Sequence, residues 1–510
     1  MRNVKVLLWI AWGAVVLASA CQTALSAENG IDRLNQSTDG TKISFDDFMQ
    51  KTLRDYSVPG AVVAVVENNT TIFLKGYGVR EIGKTEKVDE NTRFQVASVS
   101  KFFTATALGV LVDEGKLDWD TPIIEYIPEF AMNDAYATLH ATSRDMLSHR
   151  SGLKHFDGDL LGRLNYSRAE IFHKARYLEP GSSFRGKYDY SNIGIFIAGE
   201  VGARADNSSW EEVVSSRILT PLGMNRSGPN MAELFKDGNR ATAHNMDNTI
   251  MPYESGDKTG AAGSVVSTGA DMARWMHMLL TGDNVDGRHI LKPETLKEIF
   301  KPSMVTGSGG PLRDPAGAAG LGCDSYDFLG HRVIEKNGAL DGVRSVTVLI
   351  PDKKIGITVI ANKQLTQFPE AVRAEFLERY LGSTGMDLQA QIHEQQLLWN
   401  TLAEKPKLPD KPNQPCKDIG AYTGKYLSDA YGIFSVVQNG GNLTIEAGPV
   451  RYPGTLQHWS DNTFLLTFPD PDDPSGLINF AIGPSGNITG FDGADYRFGS
   501  MANFGHFDKV

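Results

Sequence analysis

Apolar positions recur along this chain with two different periods, and the order of those stretches predicts its elements. Ser44 precedes a run with Phe48, Met49 and Leu53 at helical spacing, so a helix capped by Ser44 is expected. Val58-Pro59-Gly60 leads into an apolar run over 61–66, and after Asn68-Asn69 a second run covers 71–74, which reads as a β-hairpin. From Phe102 to Val112 nearly every residue is apolar or small, and Glu114-Gly115-Lys116 supplies a stop, the pattern of a helix buried on all sides. Between residues 138 and 280 the period is helical with many loops, including 142–147 and 269–276. Strands are expected again over 331–335, 345–350 and 355–361, with Pro351-Asp352-Lys353-Lys354 as a turn, and then a helix over 370–381. Strands at both ends with helices between predict an α+β fold. One antiparallel sheet, assembled from both chain ends and flanked by helices, would lie beside a helical lobe, with a ligand cleft between them.

A further helix is expected over 388–402. Pro406, Pro409, Pro412 and Pro415 then recur at every third residue, the period of polyproline II, so the linker should be extended. Short alternating runs over 432–438, 443–447, 463–468, 477–482 and 487–491, with a turn at Asn439-Gly440-Gly441-Asn442, predict a small all-β domain. At the other end Arg2 and Lys5 precede an apolar run from Val6 to Ala20 and then small residues, the layout of a secretory targeting segment. The chain therefore divides into a signal segment (1–27), a polar stretch (28–42), a main domain (43–385), a helix with a Pro-rich linker (386–415) and an all-β domain (416–510).

A length of 510 residues exceeds what one core supports, in keeping with two folded units. The formal charge of -11, with no basic run, argues against nucleic acid as a partner. A secreted or periplasmic location is expected, and Leu17-Ala18-Ser19-Ala20-Cys21 makes Cys21 a candidate lipid anchor. With Cys21 removed or lipidated, Cys323 and Cys416 remain, either as free thiols or as a disulfide joining the two domains. No pair has metal-ligand spacing with the few histidines, so neither a metal nor a cofactor is expected.

Candidate chemistry begins at Ser98-Val99-Ser100-Lys101. A serine and a lysine three residues apart share a helical face. At the start of a buried helix, low polarity and the positive helix terminus both depress the lysine pKa, and a neutral lysine can take a proton from serine. Chance alone supplies S-x-x-K about twice in a chain of this length. It occurs three times, but Ser151 to Lys154 and Ser255 to Lys258 lie in loop-like surroundings, and only Ser98 leads an apolar helix. Tyr190-Ser191-Asn192, the only Y-x-N in the chain, offers a phenol whose pKa two nearby lysines would lower. Lys336-Asn337-Gly338-Ala339 follows a strand, where glycine admits close backbone approach and the next N–H can serve a developing oxyanion. The literal Lys258-Thr259-Gly260 is set aside, because a sheet edge is a more rigid platform than a loop.

In this order, S-x-x-K, Y-x-N and K-x-G, the chain resembles the serine β-lactamase and penicillin-binding protein superfamily, in the class C β-lactamase-like branch that includes esterases and D-aminopeptidases. The flanks Ser143-Arg144-Asp145-Met146-Leu147-Ser148-His149-Arg150-Ser151-Gly152-Leu153, Pro221-Leu222-Gly223-Met224 and Ser267-Thr268-Gly269-Ala270-Asp271-Met272-Ala273-Arg274-Trp275 add to the likeness. Through Tyr422-Thr423-Gly424-Lys425-Tyr426 the last domain resembles the small β-barrel appended to some members. The resemblance implies that Ser98 is the nucleophile, that Lys101 or Tyr190 is its base, and that the amides of Ser98 and Ala339 hold the oxyanion. It further implies that Asn192 bonds Lys101 and the substrate amide, and that Lys336 adds positive potential. Asn337 departs from the Thr or Ser common in penicillin-recognising members and lacks their hydroxyl. The expectation is a serine hydrolase acting on a small ester, amide or peptide. A D-aminopeptidase or DD-peptidase, a true β-lactamase, and a non-catalytic scaffold on the same fold are the alternatives. Neither the oligomeric state nor the role of the β-domain has a signal in the sequence.

Overall fold

The computed structural model describes residues 30, 32–35, 43–307, 317–402, 413–469, 476–495 and 505–510. The signal segment 1–27, most of the polar stretch and residues 403–412 of the Pro-rich linker lie outside the described residues. Helix α1 (Phe45–Asp55) begins where the Ser44 hydroxyl accepts the Asp47 amide at 3.1 Å. Strands β1 (Gly60–Glu67) and β2 (Thr70–Gly78) form the expected hairpin.

That hairpin joins six later strands: β3 (Met304–Val305), β4 (Ala318–Ala319), β5 (Asp324–Phe328), β6 (His331–Leu340), β7 (Val343–Ile350) and β8 (Ile355–Ala361). Their order is β2-β1-β8-β7-β6-β5-β4-β3, and β1 pairs antiparallel with β8 from Ala61 opposite Ala361 to Glu67 opposite Ile355. The two chain ends thus share one sheet. Every residue of β1 and β8 is buried. Val62, Ala64 and Val66 face the helical lobe, whereas Ala61, Val63 and Val65 join an outer core with α1 and the late helix Phe368–Leu381. Cover on both faces explains why these strands read as unbroken apolar runs rather than as alternation.

In the lobe, helix α2 (Ser100–Asp113) is buried from Ser100 to Leu111. It packs beside α3 (Asn192–Ala205) and α4 (Gly269–Thr281), with Phe103 stacked on Trp275 at a centroid distance of 3.9 Å. Two sequence expectations change here. The α-helix starts at Ser100, and Ser98 sits in a preceding single turn of 3₁₀ helix, Ala97–Val99. Strand β6 does not stop at Glu335 but continues through Lys336-Asn337-Gly338-Ala339, because pairing with β7 persists from Lys336 opposite Thr347 to Leu340 opposite Val343. Cross-strand pairing there overrides the low strand preference of Asn and Gly.

Helix α5 (Phe368–Leu381) covers the outer face of the sheet, and α6 (Leu388–Leu402), the helix expected ahead of the linker, packs on it. Leu388 and Ile392 are buried in the outer core, and the Gln389 and Gln396 amides reach the carbonyls of Ala371 and Leu365 at 3.0 and 3.2 Å. Beyond it, eight strands close a barrel: β9 (Gly424–Ser428), β10 (Gly432–Asn439), β11 (Asn442–Ala447), β12 (Tyr452–Ser460), β13 (Thr463–Thr467), β14 (Gly476–Ile482), β15 (Ile488–Asp495) and β16 (Gly505–Lys509). β9, β12 and β16 were not expected as strands. β12 carries Pro453-Gly454 and β16 has a single central Phe, so neither shows the signature that closure of the barrel makes unnecessary. Tyr422, Tyr426, Phe434, Phe464, Phe480, Phe491 and Phe507 fill the interior, with Phe507 at 4.6 Å from both Phe434 and Phe491. Cys323 is buried and Cys416 exposed, both as free thiols, so the disulfide alternative does not hold. Among the described residues no helix is long and apolar enough to cross a membrane.

Candidate active site

Ser98 owes its position to a strained, pinned turn. Ala97, fully buried, takes a left-handed φ of 50°, a conformation costing an L-residue about 1 kcal/mol or more. Packing holds it there: the Val96 amide donates to the Val265 carbonyl at 2.9 Å, and the Val96 carbonyl accepts the Ser345 hydroxyl at 2.8 Å. The Ser100 hydroxyl accepts the Val265 amide at 2.9 Å, which ties the start of α2 to the same segment.

Around Ser98 Oγ two predicted groups converge. Lys101 Nζ lies 3.0 Å from it, and the Tyr190 hydroxyl donates to it at 2.8 Å. Lys101 is completely buried and also donates to the Ala262 carbonyl at 2.6 Å. Burial, seconded by the Lys336 charge, depresses its pKa against the opposing pull of Tyr190 and Asp159. For Tyr190 burial opposes ionisation, but the Lys101 and Lys336 charges outweigh it, and the phenol titrates below its ordinary range. The Nζ atoms of Lys101 and Lys336 lie 4.9 and 5.1 Å from the Tyr190 ring centre.

β6 brings the third segment. Lys336 is buried, with its Nζ 3.4 Å from an Asp324 carboxylate oxygen on β5. Gly338 packs so tightly that a Cβ there would stand 2.5 Å from the Val96 carbonyl oxygen and 3.0 Å from the Ala97 Cβ. Half-buried Asn337 and the exposed Ala339 flank it along β6. Lys258 lies apart, in a 3₁₀ segment Asp257–Ala262 that contributes only the Ala262 carbonyl.

Asn192 requires a correction. Its side-chain amide donates to Asp159 at 2.6 Å rather than bonding Lys101, because the loop 155–159 runs beside Tyr190-Ser191-Asn192 and sets a carboxylate against it. Burial pushes the Asp159 carboxyl up to about 7, opposed by the Asn192 bond and the Lys101 charge. In the same loop the Phe156 amide donates to the Tyr190 carbonyl at 2.9 Å, and His155 Nδ1 accepts the Tyr190 amide at 3.2 Å. His149, at φ 56°, lies 4.6 Å ring to ring from Tyr190 and accepts the Ser191 amide on Nδ1 at 3.2 Å. Burial, then the Lys336 and Lys101 charges, hold this imidazole neutral.

A single turn thus presents a hydroxyl to an amine and a phenol whose acidities are both shifted toward neutrality, the components of nucleophilic acyl transfer. A model of the beta-lactamase family matches residues 45–381. The chain belongs to the beta-lactamase family. A second model, a domain of unknown function named DUF3471, matches residues 408–502, which hold seven of the eight barrel strands. Unguisins hydrolase ungD' of Aspergillus campestris is 26% identical over 79% of this chain and 78% of its own length. The octameric penicillin-binding protein homologue from Pyrococcus abyssi superposes with a TM-score of 0.58 at 19% identity, over 91% of this chain and 99% of that one. A class C beta-lactamase mutant superposes with a TM-score of 0.56 at 21% identity, over 65% of this chain and 95% of its own. At those identities the likeness to the solved structures speaks for the fold.

In this beta-lactamase family member the sequence motifs carry Ser98, Lys101, Tyr190, Asn192 and Lys336, whereas His149, Phe156, Asp159 and Asp324 join them only through the fold. His149 lies within one of the flanks that carry the family resemblance. Asp159 and Asp324 had no sequence signal, since each meets its partner only across a loop or a strand pair.

Proposed function

We propose that the chain is a serine hydrolase that cleaves a small ester or amide through an acyl-enzyme on Ser98. The convergence of Lys101 Nζ and the Tyr190 hydroxyl on Ser98 Oγ, at 3.0 and 2.8 Å, carries this reading. Ser98 Oγ attacks the acyl carbon while its proton passes to neutral Lys101 or to the Tyr190 phenolate. The amides of Ser98 and Ala339 hold the oxyanion, a contribution of about 3 kcal/mol per donor in such sites. As the tetrahedral species collapses, the bond to the leaving oxygen or nitrogen breaks and the Tyr190 hydroxyl gives it a proton, Lys101 reprotonating Tyr190 where Lys101 was the base. Water then attacks the acyl carbon with the same base, the ester bond to Ser98 breaks, and Ser98 regains its proton.

Two features speak against a penicillin as the substrate. Asn337 offers no hydroxyl for a carboxylate, and the Lys336 charge is partly answered by Asp324. The relative named an unguisins hydrolase supports hydrolysis in general, and a peptide-like amide stands as the second reading that the substrate comparison below separates. The proposal places the mature enzyme outside the cytoplasm, from Arg2, Lys5 and the apolar run to Ala20, with Cys21 as a candidate lipid anchor.

Intact-mass measurement after exposure to a fluorophosphonate tests the reading: one adduct is expected on the wild type and none on Ser98→Ala. An unlabelled wild type would favour a scaffold. Turnover of a short acyl ester, a chromogenic cephalosporin and a D-alanyl peptide then separates esterase, β-lactamase and peptidase.

A further inference from the structure

The barrel touches the catalytic domain at a point one residue away from the site. Between β9 and β10, Tyr431 reaches into the loop 155–159, where it is only 4% exposed. Its hydroxyl donates to the Asp157 carboxylate at 2.5 Å and accepts the Gly158 amide at 3.0 Å. The Tyr166 hydroxyl donates to the Tyr431 carbonyl at 2.9 Å and fixes the ring from the other side. Burial and the Asp157 charge both raise the Tyr431 pKa, so the phenol stays protonated and keeps its donor.

Loop 155–159 connects this anchor to the catalytic groups by two routes. Asp159 accepts the Asn192 side-chain amide at 2.6 Å. Gly158, at φ 88°, packs so closely on the next residue of α3 that a Cβ would lie 2.7 Å from Ile193 Cγ1. Upstream, Phe156 donates its amide to the Tyr190 carbonyl, and its ring lies 5.1 Å from the Tyr190 ring. The loop therefore grips Tyr190 and Asn192 from one side, and Tyr431 grips the loop from the other.

We propose that Tyr431 is a positioning residue for the Ser98 reaction, and that the C-terminal barrel completes the active site by clamping the loop 155–159 against Tyr190 and Asn192. The inference rests on the acyl-enzyme reading above. Removing the Tyr431 hydroxyl takes a buried hydrogen-bond partner from both the Asp157 carboxylate and the Gly158 amide, so the loop shifts and carries Asn192 and Tyr190 with it. Misplacement of under an ångström at such groups costs about tenfold or more in rate.

The test uses the full-length protein and the rate of Ser98 acylation by a fluorophosphonate and by a short acyl ester, with thermal unfolding measured alongside. Tyr431→Phe and Asp157→Ala should each lower the saturating acylation rate about tenfold with the half-saturating concentration little changed. The double variant should lose no more than either single one, because both cut the same link. Lys174→Ala, which removes another inter-domain bond, Lys174 Nζ to the Asp429 carbonyl at 3.0 Å, should acylate at the wild-type rate. A folded Tyr431→Phe that acylates at the wild-type rate would overturn the inference, as would losses in Lys174→Ala that match it. Additive losses in the double variant would overturn it too and, should Tyr431→Phe not fold, Asp157→Ala decides by the same criterion. A wild type that takes no label overturns instead the reading on which the inference stands.

Discussion

Tyr190 lies between the charges of two lysines, and in the proposed reaction its acidity governs how easily the proton of Ser98 is moved. The Lys336 charge lowers the pKa of Tyr190 and also that of Lys101. Removing it with Lys336→Met raises both. A general base works when deprotonated, so the acidic limb of the acylation rate moves to higher pH whichever of the two groups is the base. Acylation by a short acyl ester, followed across pH in wild type and variant, checks this; a limb that stays in place would remove Lys336 from the electrostatics of the site. Ser98 and Lys101 were legible as a pair because three residues within one turn bring them together however the rest folds. Asp159 was not legible, since its closeness to Asn192 comes from a loop with no periodic pattern.

The close approach of β6 to the Ala97–Val99 turn is what makes a site out of separate elements. Gly338 stands opposite Ser345, and a Cβ on it would come within 2.5 Å of the Val96 carbonyl oxygen, a backbone atom with no freedom to move aside. Gly338→Ala should therefore push the strand from the turn, lowering stability by about 1–3 kcal/mol and the acylation rate by about tenfold to a hundredfold. Thermal unfolding and labelling kinetics give both numbers, and an alanine variant with wild-type kinetics would show that the strand edge is not part of the oxyanion platform. The glycine was picked out from K-x-G, but the strand around it was expected to end at Glu335. Pairing with β7 carries it on to Leu340, a long-range effect that local propensity does not contain. β1 and β8 were legible because burial on both faces writes an uninterrupted apolar run into the sequence.

For the whole molecule, the two domains are joined by packing and hydrogen bonds at Tyr431, Tyr166 and Lys174, with no covalent bond between Cys323 and Cys416. Burial holds Cys323 as a thiol with its pKa raised, whereas Cys416 is exposed. Maleimide labelling of the native protein followed by peptide mapping should find Cys416 modified and Cys323 untouched until the chain is unfolded; a linked peptide in an unreduced digest would overturn this. The sequence by itself determined the α+β class, the all-β C-terminal unit and the identity of the serine, lysine, tyrosine and K-x-G motifs, because periodicity and short spacing are local properties of the chain. Tertiary structure alone decided that Asn192 turns to Asp159 and that a tyrosine of the barrel holds the loop beside Tyr190 and Asn192. Those contacts join residues far apart in the chain, and their geometry follows from packing and register, which no short window of sequence encodes.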